Sequence, residues 1–169
     1  WRFDYRLYRP LVEYARDNQI PIVALNASRE LTGEISRVVI NGLSDVMREQ
    51  LPEGYDFGDK AYEASLREMF RMHPSQDSDD AVFQRFLEAQ LTWDETMAQN
   101  VADYLKANPD ARMLVLAGSG HVEYRSGIPQ RVTRRKDERQ SVSSTPSYAA
   151  CSTRPNKNAT RRQCSPMVC

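Results

Sequence analysis

Two short, uninterrupted apolar runs constrain this chain more than any other feature: Ile20-Pro21-Ile22-Val23-Ala24-Leu25 and Met113-Leu114-Val115-Leu116-Ala117. Each has strand length and polar flanks. Continuous apolar runs of this kind suit a parallel sheet covered by helices on both faces. Two strands alone do not make such a sheet. The expected architecture is therefore α/β: a parallel sheet flanked by helices with a smaller helical subdomain, in a partial domain lacking its N-terminal strands. Sequence upstream of Trp1 is favoured over a partner chain as the source of the missing strands.

Helical patterns occupy much of the remainder. Pro10 suits a first helical turn, where its missing N–H has no intrahelical partner, and this helix should end near Asn18. Ser28 is a candidate N-cap for a helix with Leu31, Ile35, Val38 and Val39 on its apolar face, stopped by Gly42. The spacing of Tyr62, Leu66, Met69 and Phe70 predicts a helix over about 59–72. The clearest amphipathic segment follows, at about 80–107, with Phe83, Phe86, Leu87, Met97, Val101 and Leu105 on one arc. A further short helix is expected from about Val122, interrupted by Gly127 and Pro129.

Gln90 and Asp94 fall inside the apolar arc of the 80–107 segment, with Trp93 and Glu95 near its edges. A carboxylate in an apolar stripe must be paired or hydrogen-bonded. Such residues either satisfy neighbouring backbone groups or line a polar pocket. The second signal is Gly118-Ser119-Gly120-His121, directly after the second apolar run. Glycines there permit a tight turn and close approach of another group, and open α/β sheets bind ligands beyond the carboxyl ends of their strands. His121 is open to several readings: metal or haem ligand, general base, hydrogen-bond partner, or a plain turn histidine. Tyr124 shares its face if a helix starts there. His73, before Pro74, fits a helix C-terminus that favours a cationic imidazole.

Zero net charge hides an asymmetry. Residues 131–169 hold nine Arg/Lys against Asp137 and Glu138, while the first 130 hold 14 basic and 21 acidic residues. From 136 onward Ser, Thr, Pro, Asn and Arg dominate, which predicts a solvated, disordered basic tail over 136–169. The acidic body argues against nucleic acid as a main partner. All three cysteines (Cys151, Cys164, Cys169) lie in that tail without zinc spacing. No signal peptide or membrane-spanning run is expected, and no P-loop, dinucleotide fingerprint, nucleophile elbow or HExxH occurs.

Four stretches together resemble the ChaN family of haem-binding proteins, within the superfamily of Tiki proteins and erythromycin esterases. They are Tyr8-Arg9-Pro10-Leu11, Ile22 to Arg29, Glu88 to Ala98, and Leu116 to Val122 with Gly127-Ile128-Pro129. In order and spacing they cover residues 1–135, read as the C-terminal part of such a domain. The resemblance implies haem as cofactor, bound as a face-to-face pair across a homodimer, with tyrosine ligation and histidine support. His121, with Gly118 and Gly120, matches the family's glycine-histidine motif and is the implied metal ligand. Gln90, Trp93, Asp94 and Met97 match its Gln/Trp-Asp/Met segment, and Tyr124 is a candidate ligand as neighbour of His121.

The implied role is haem binding in bacterial iron uptake, by a binding protein and not an enzyme. Its setting would be the periplasm or outer membrane of Gram-negative bacteria, as a lipoprotein. It would have a haem-uptake receptor as partner and touch the membrane only through a lipid anchor outside this chain. The alternative is a hydrolase, metal-dependent or built on His121 and a carboxylate. The family's first strand with its Gly-Glu…His motif is absent from this chain.

Overall fold

A computed structural model describes residues 4–72, 79–137 and 139–143. His73, the cysteines and the sequence from 144 onward lie outside the described residues, so the expected disordered tail falls mostly outside them too.

The molecule is organised on one long helix, α5 (Asp80–Ala107). At 1.5 Å per residue its 28 residues span about 42 Å. No glycine or proline interrupts it, and the Asp79 carboxylate caps it by accepting from the Ala81 N–H at 2.8 Å. Before it come α1 (Arg9–Asp17), α2 (Arg29–Val38), α3 (Asp45–Arg48) and α4 (Lys60–Arg71), and after it α6 (Ile128–Arg135). The caps follow the sequence: Pro10 sits in the first turn of α1, Ser28 Oγ accepts from the Leu31 N–H at 3.1 Å, and Asp59 accepts from Tyr62 N–H at 2.9 Å. The second helix stops before Gly42. Val39, at φ +56°, turns the chain out of α2, and Gly42 belongs to the 3₁₀ turn that follows.

Three apolar clusters meet α5 along its length. Tyr62, Leu66 and Phe70 of α4 pack on Phe83, Leu87 and Leu91. Leu31 and Ile35 of α2, with Leu43, pack around Ala89. Ile128 and Val132 of α6 pack on Met97, Ala98 and Val101. In mid-helix, burial extends past one stripe: Glu88 to Thr92, Asp94 and Glu95 are all buried. Polar side chains there cannot reach water and must find protein partners.

The expected sheet is not formed: among the described residues there is no strand. Both apolar runs lie outside regular structure, and among the described residues no backbone hydrogen bond joins one to the other. The physical reason is that an extended segment becomes a strand only when a neighbour completes its ladder. Continuous burial fails as well. Leu25, Met113 and Val115 turn inward onto the Met97–Val132 cluster, whereas Ile22, Leu114 and Leu116 are exposed. The fold is helical, and the amphipathic segment expected at about 80–107 is its central element. No helix among the described residues is long and apolar enough to cross a membrane.

Candidate functional site

The site begins with what α5 does with its buried polar residues. Gln90 and Asp94 are one turn apart and share a face, which they turn toward the segment 118–121. There the chain makes a 3₁₀ turn, Ser119–His121, closed by His121 N–H donating to the Gly118 carbonyl at 3.0 Å. This brings His121 Nδ1 to 2.6 Å from Asp94 Oδ1, with the Gln90 side-chain amide 3.0 Å from the same nitrogen. An ionised carboxylate only accepts, so Nδ1 donates its proton to Asp94, and Gln90 Nε2, itself a donor, is a neighbour of that nitrogen and not its partner. In the neutral imidazole Nε2 then carries the lone pair, and among the described residues no hydrogen bond engages it. Trp93 meets the imidazole edge-on, ring centroids 6.2 Å apart.

Asp94 is fully buried and has a second partner. Tyr62, on α4, shares its one hydroxyl proton between Asp94 Oδ2 at 2.7 Å and the Gly120 carbonyl at 2.9 Å, a three-centre bond weighted to the shorter contact. The phenol thus joins three elements at one point: α4, α5 and the histidine turn. Burial raises the Tyr62 pKa far above the ordinary tyrosine value, and the Asp94 charge adds to the shift. Tyr62 therefore acts as a neutral donor.

Of the residues the sequence brings forward, Gln90, Trp93, Asp94 and His121 come together. Met97 does not join them; it is packed in the apolar cluster with Ala98, Val101, Ile128 and Val132. Gly118 has ordinary backbone, and a Cβ there would meet His121 Cδ2 at 3.6 Å, a normal contact. Gly120 contributes its carbonyl to Tyr62, and a Cβ on it would press on Met69 at 3.0 Å. The glycine the turn requires is Gly127: its φ is +62°, and a Cβ would stand 2.3 Å from the His121 carbonyl oxygen.

Tyr124 does not share a helical face with His121. It lies in a second 3₁₀ turn, Glu123–Arg125, at φ +53°, and the residue is 89% exposed. It borders an open groove of about 590 Å³ with Arg125, Pro129, Gln130, Thr133 and Arg134.

In the sequence Tyr62 stands out only as an apolar position of the helix expected over about 59–72. The signal available was that a buried phenol needs a partner for its hydroxyl. The charge asymmetry counts Arg131, Arg134 and Arg135 toward the basic end of the chain. All three lie on α6 and converge on the buried Glu95, with N–O distances of 3.1, 2.7 and 2.5 Å. Arg134 further bridges to Asp56 at 2.9 Å. Among the described residues no group of three or more His, Cys, Asp or Glu side chains is gathered for a metal ion.

Residues 1–132 match the family described as haem-binding uptake, Tiki superfamily, ChaN, and the chain belongs to that family. The chain is also similar to Protein RETICULATA-RELATED 5, chloroplastic, of Arabidopsis thaliana. The two are 29% identical over 136 residues, covering 76% of this chain. The chain spans 18% of that relative's length. No solved structure matches it.

Proposed function

We propose that this chain is a haem-binding module of the uptake type, with His121 Nε2 as the nitrogen offered to iron. The observation that carries the reading is the 2.6 Å bond from His121 Nδ1 to the buried Asp94 carboxylate. Imidazoles that ligate metals characteristically have their other nitrogen tied to a carboxylate or carbonyl, which fixes the ring and raises its basicity. The other donor types present also suit haem. Tyr124 provides an exposed phenol, a ligand type that haem iron accepts. Arg125, on the same groove, provides a guanidinium of the kind that pairs with carboxylates such as propionates. When bound, haem would supply redox or carrier chemistry; the chain's own part is to bind, orient and hold it.

Haemin titration followed in the Soret region tests this. The expected result is a saturable shift in the wild type that weakens at least tenfold in His121→Ala, a loss of about 1.4 kcal/mol or more. Absence of a saturable shift, or one indifferent to His121, would overturn the reading. Tyr124→Phe should alter the ferric spectrum if the phenol is the second ligand, and leave it unchanged otherwise. The reading extends to a homodimer holding a haem pair, tested by a haem-dependent doubling of mass in sedimentation, and to delivery from an uptake receptor.

The same Asp94–His121 pair favours a second reading, a hydrolase in which a carboxylate-held imidazole acts as general base. Among the described residues no hydroxyl or thiol hydrogen-bonds to His121, so the base would act on water. Turnover of an ester or peptide panel that disappears in His121→Ala would support it; no turnover, with or without divalent metal, would remove it.

A further inference from the structure

We propose that Tyr62 is a positioning residue for His121, its hydroxyl holding Asp94 and the Gly120 carbonyl so that the imidazole is fixed as the Nδ1–H tautomer. Neutral imidazole chooses between two tautomers of similar energy, and the choice is set by what one nitrogen meets. Here Nδ1 meets Asp94 Oδ1. A carboxylate on a helix can rotate about its side-chain bonds, so one anchored oxygen does not by itself fix the plane of the group. The second oxygen, Oδ2, is where Tyr62 donates at 2.7 Å. The two oxygens are therefore held from opposite partners, the phenol and the imidazole.

The contact with the Gly120 carbonyl at 2.9 Å acts on the other side of the same geometry. Gly120 immediately precedes His121, so the phenol fixes the backbone from which the imidazole projects as well as the carboxylate it meets. Tyr62 is only 4% exposed and neutral, so its hydroxyl keeps its proton as a donor and is shielded from water. Its backbone is set in turn by the Asp59 cap, whose carboxylate receives the Tyr62 N–H at 2.9 Å. The resulting order is Asp59, Tyr62, Asp94, His121, with the ligand-facing nitrogen last. The inference deepens the haem reading through the role it gives Nε2, but the tautomer exists in the ligand-free protein and is measured there.

Long-range nitrogen–proton NMR correlation of the His121 imidazole, at alkaline pH where imidazoles are neutral, decides the matter. A His73→Gln background leaves His121 as the one histidine observed. The wild type is expected to show the Nδ1–H tautomer, and Tyr62→Phe a several-fold rise in the Nε2–H form with retained helical circular dichroism. Replacing Tyr62 by 4-aminophenylalanine, which keeps a donor at the ring's para position, should restore the wild-type pattern. Haemin affinity should fall about tenfold in Tyr62→Phe, in line with the loss of a group that orients a metal ligand. An Nε2–H tautomer in the wild type would overturn the proposal even if no variant folds. An unchanged tautomer in folded Tyr62→Phe would overturn it as well, whatever haemin does. A tautomer shift in a protein that binds no haemin would uphold the role of Tyr62 and remove the haem reading alone.

Discussion

At the scale of single residues, the protein depends on a few buried polar atoms whose partners come from side chains and backbone of distant elements. Glu95 is the extreme case, a fully buried carboxylate answered by Arg131, Arg134 and Arg135. Glu95→Ala leaves Arg131, itself 2% exposed, as an uncompensated buried charge. Breaking such a pair should cost about 3–5 kcal/mol, measured as a lowered urea midpoint. The buried phenols make a prediction about pH. Burial drives the pKa of Tyr62 and of Tyr55 upward, so both keep their protons in the folded state when unfolded tyrosines ionise, above about pH 10. In that range the unfolded chain binds fewer protons than the native one, so stability must fall as pH rises. The stabilisation is fully present below pH 10, and the double variant Tyr55→Phe/Tyr62→Phe should flatten the alkaline decline of the urea midpoint.

At the scale of elements, caps and periodicity were legible while the tertiary use of each element was not. Asp80–Ala107 and Lys60–Arg71 follow the spacing of their apolar residues, and Ser28 caps where its position before Leu31 places it. Ser28→Ala should cost about 1 kcal/mol of stability, read from thermal or urea unfolding. The runs 20–25 and 113–117 were misjudged for a physical reason. Apolar content states what a segment can bury, and pairing depends on a neighbour that lies elsewhere in the chain or outside it. The candidate site was half legible. An Asp and a Gln inside an apolar arc demand partners, but that His121 and Tyr62 are those partners is a three-dimensional fact. Gly118 and Gly120 drew notice from their motif, while the positive φ belongs to Gly127, which no motif glycine announced. Gly127→Ala should distort the turn and reduce haemin affinity more than Gly118→Ala, with the His121 imidazole resonances shifting in the former only.

At the scale of the whole molecule, the exposed faces of the two extended runs shape behaviour in solution. Ile22 is 65% and Leu114 80% exposed, and apolar surface of this kind attracts hydrophobic dyes and other chains. Ile22→Lys with Leu114→Lys should lower dye binding and aggregation while leaving the unfolding midpoint within about 0.5 kcal/mol, as expected of surface changes. The interior sets a different kind of behaviour. Glu88, Asp94 and Glu95 of α5 each hold a different part of the chain: the Ile40 N–H, the His121 imidazole and the arginines of α6. Sliding α5 by a single residue would misalign all three attachments together, leaving several charges buried without partners. The long helix therefore works like a key cut with three notches, admitting one register and rejecting its neighbours. Opening should then be all-or-none, with amide protons in α2, α5 and α6 exchanging through one shared event.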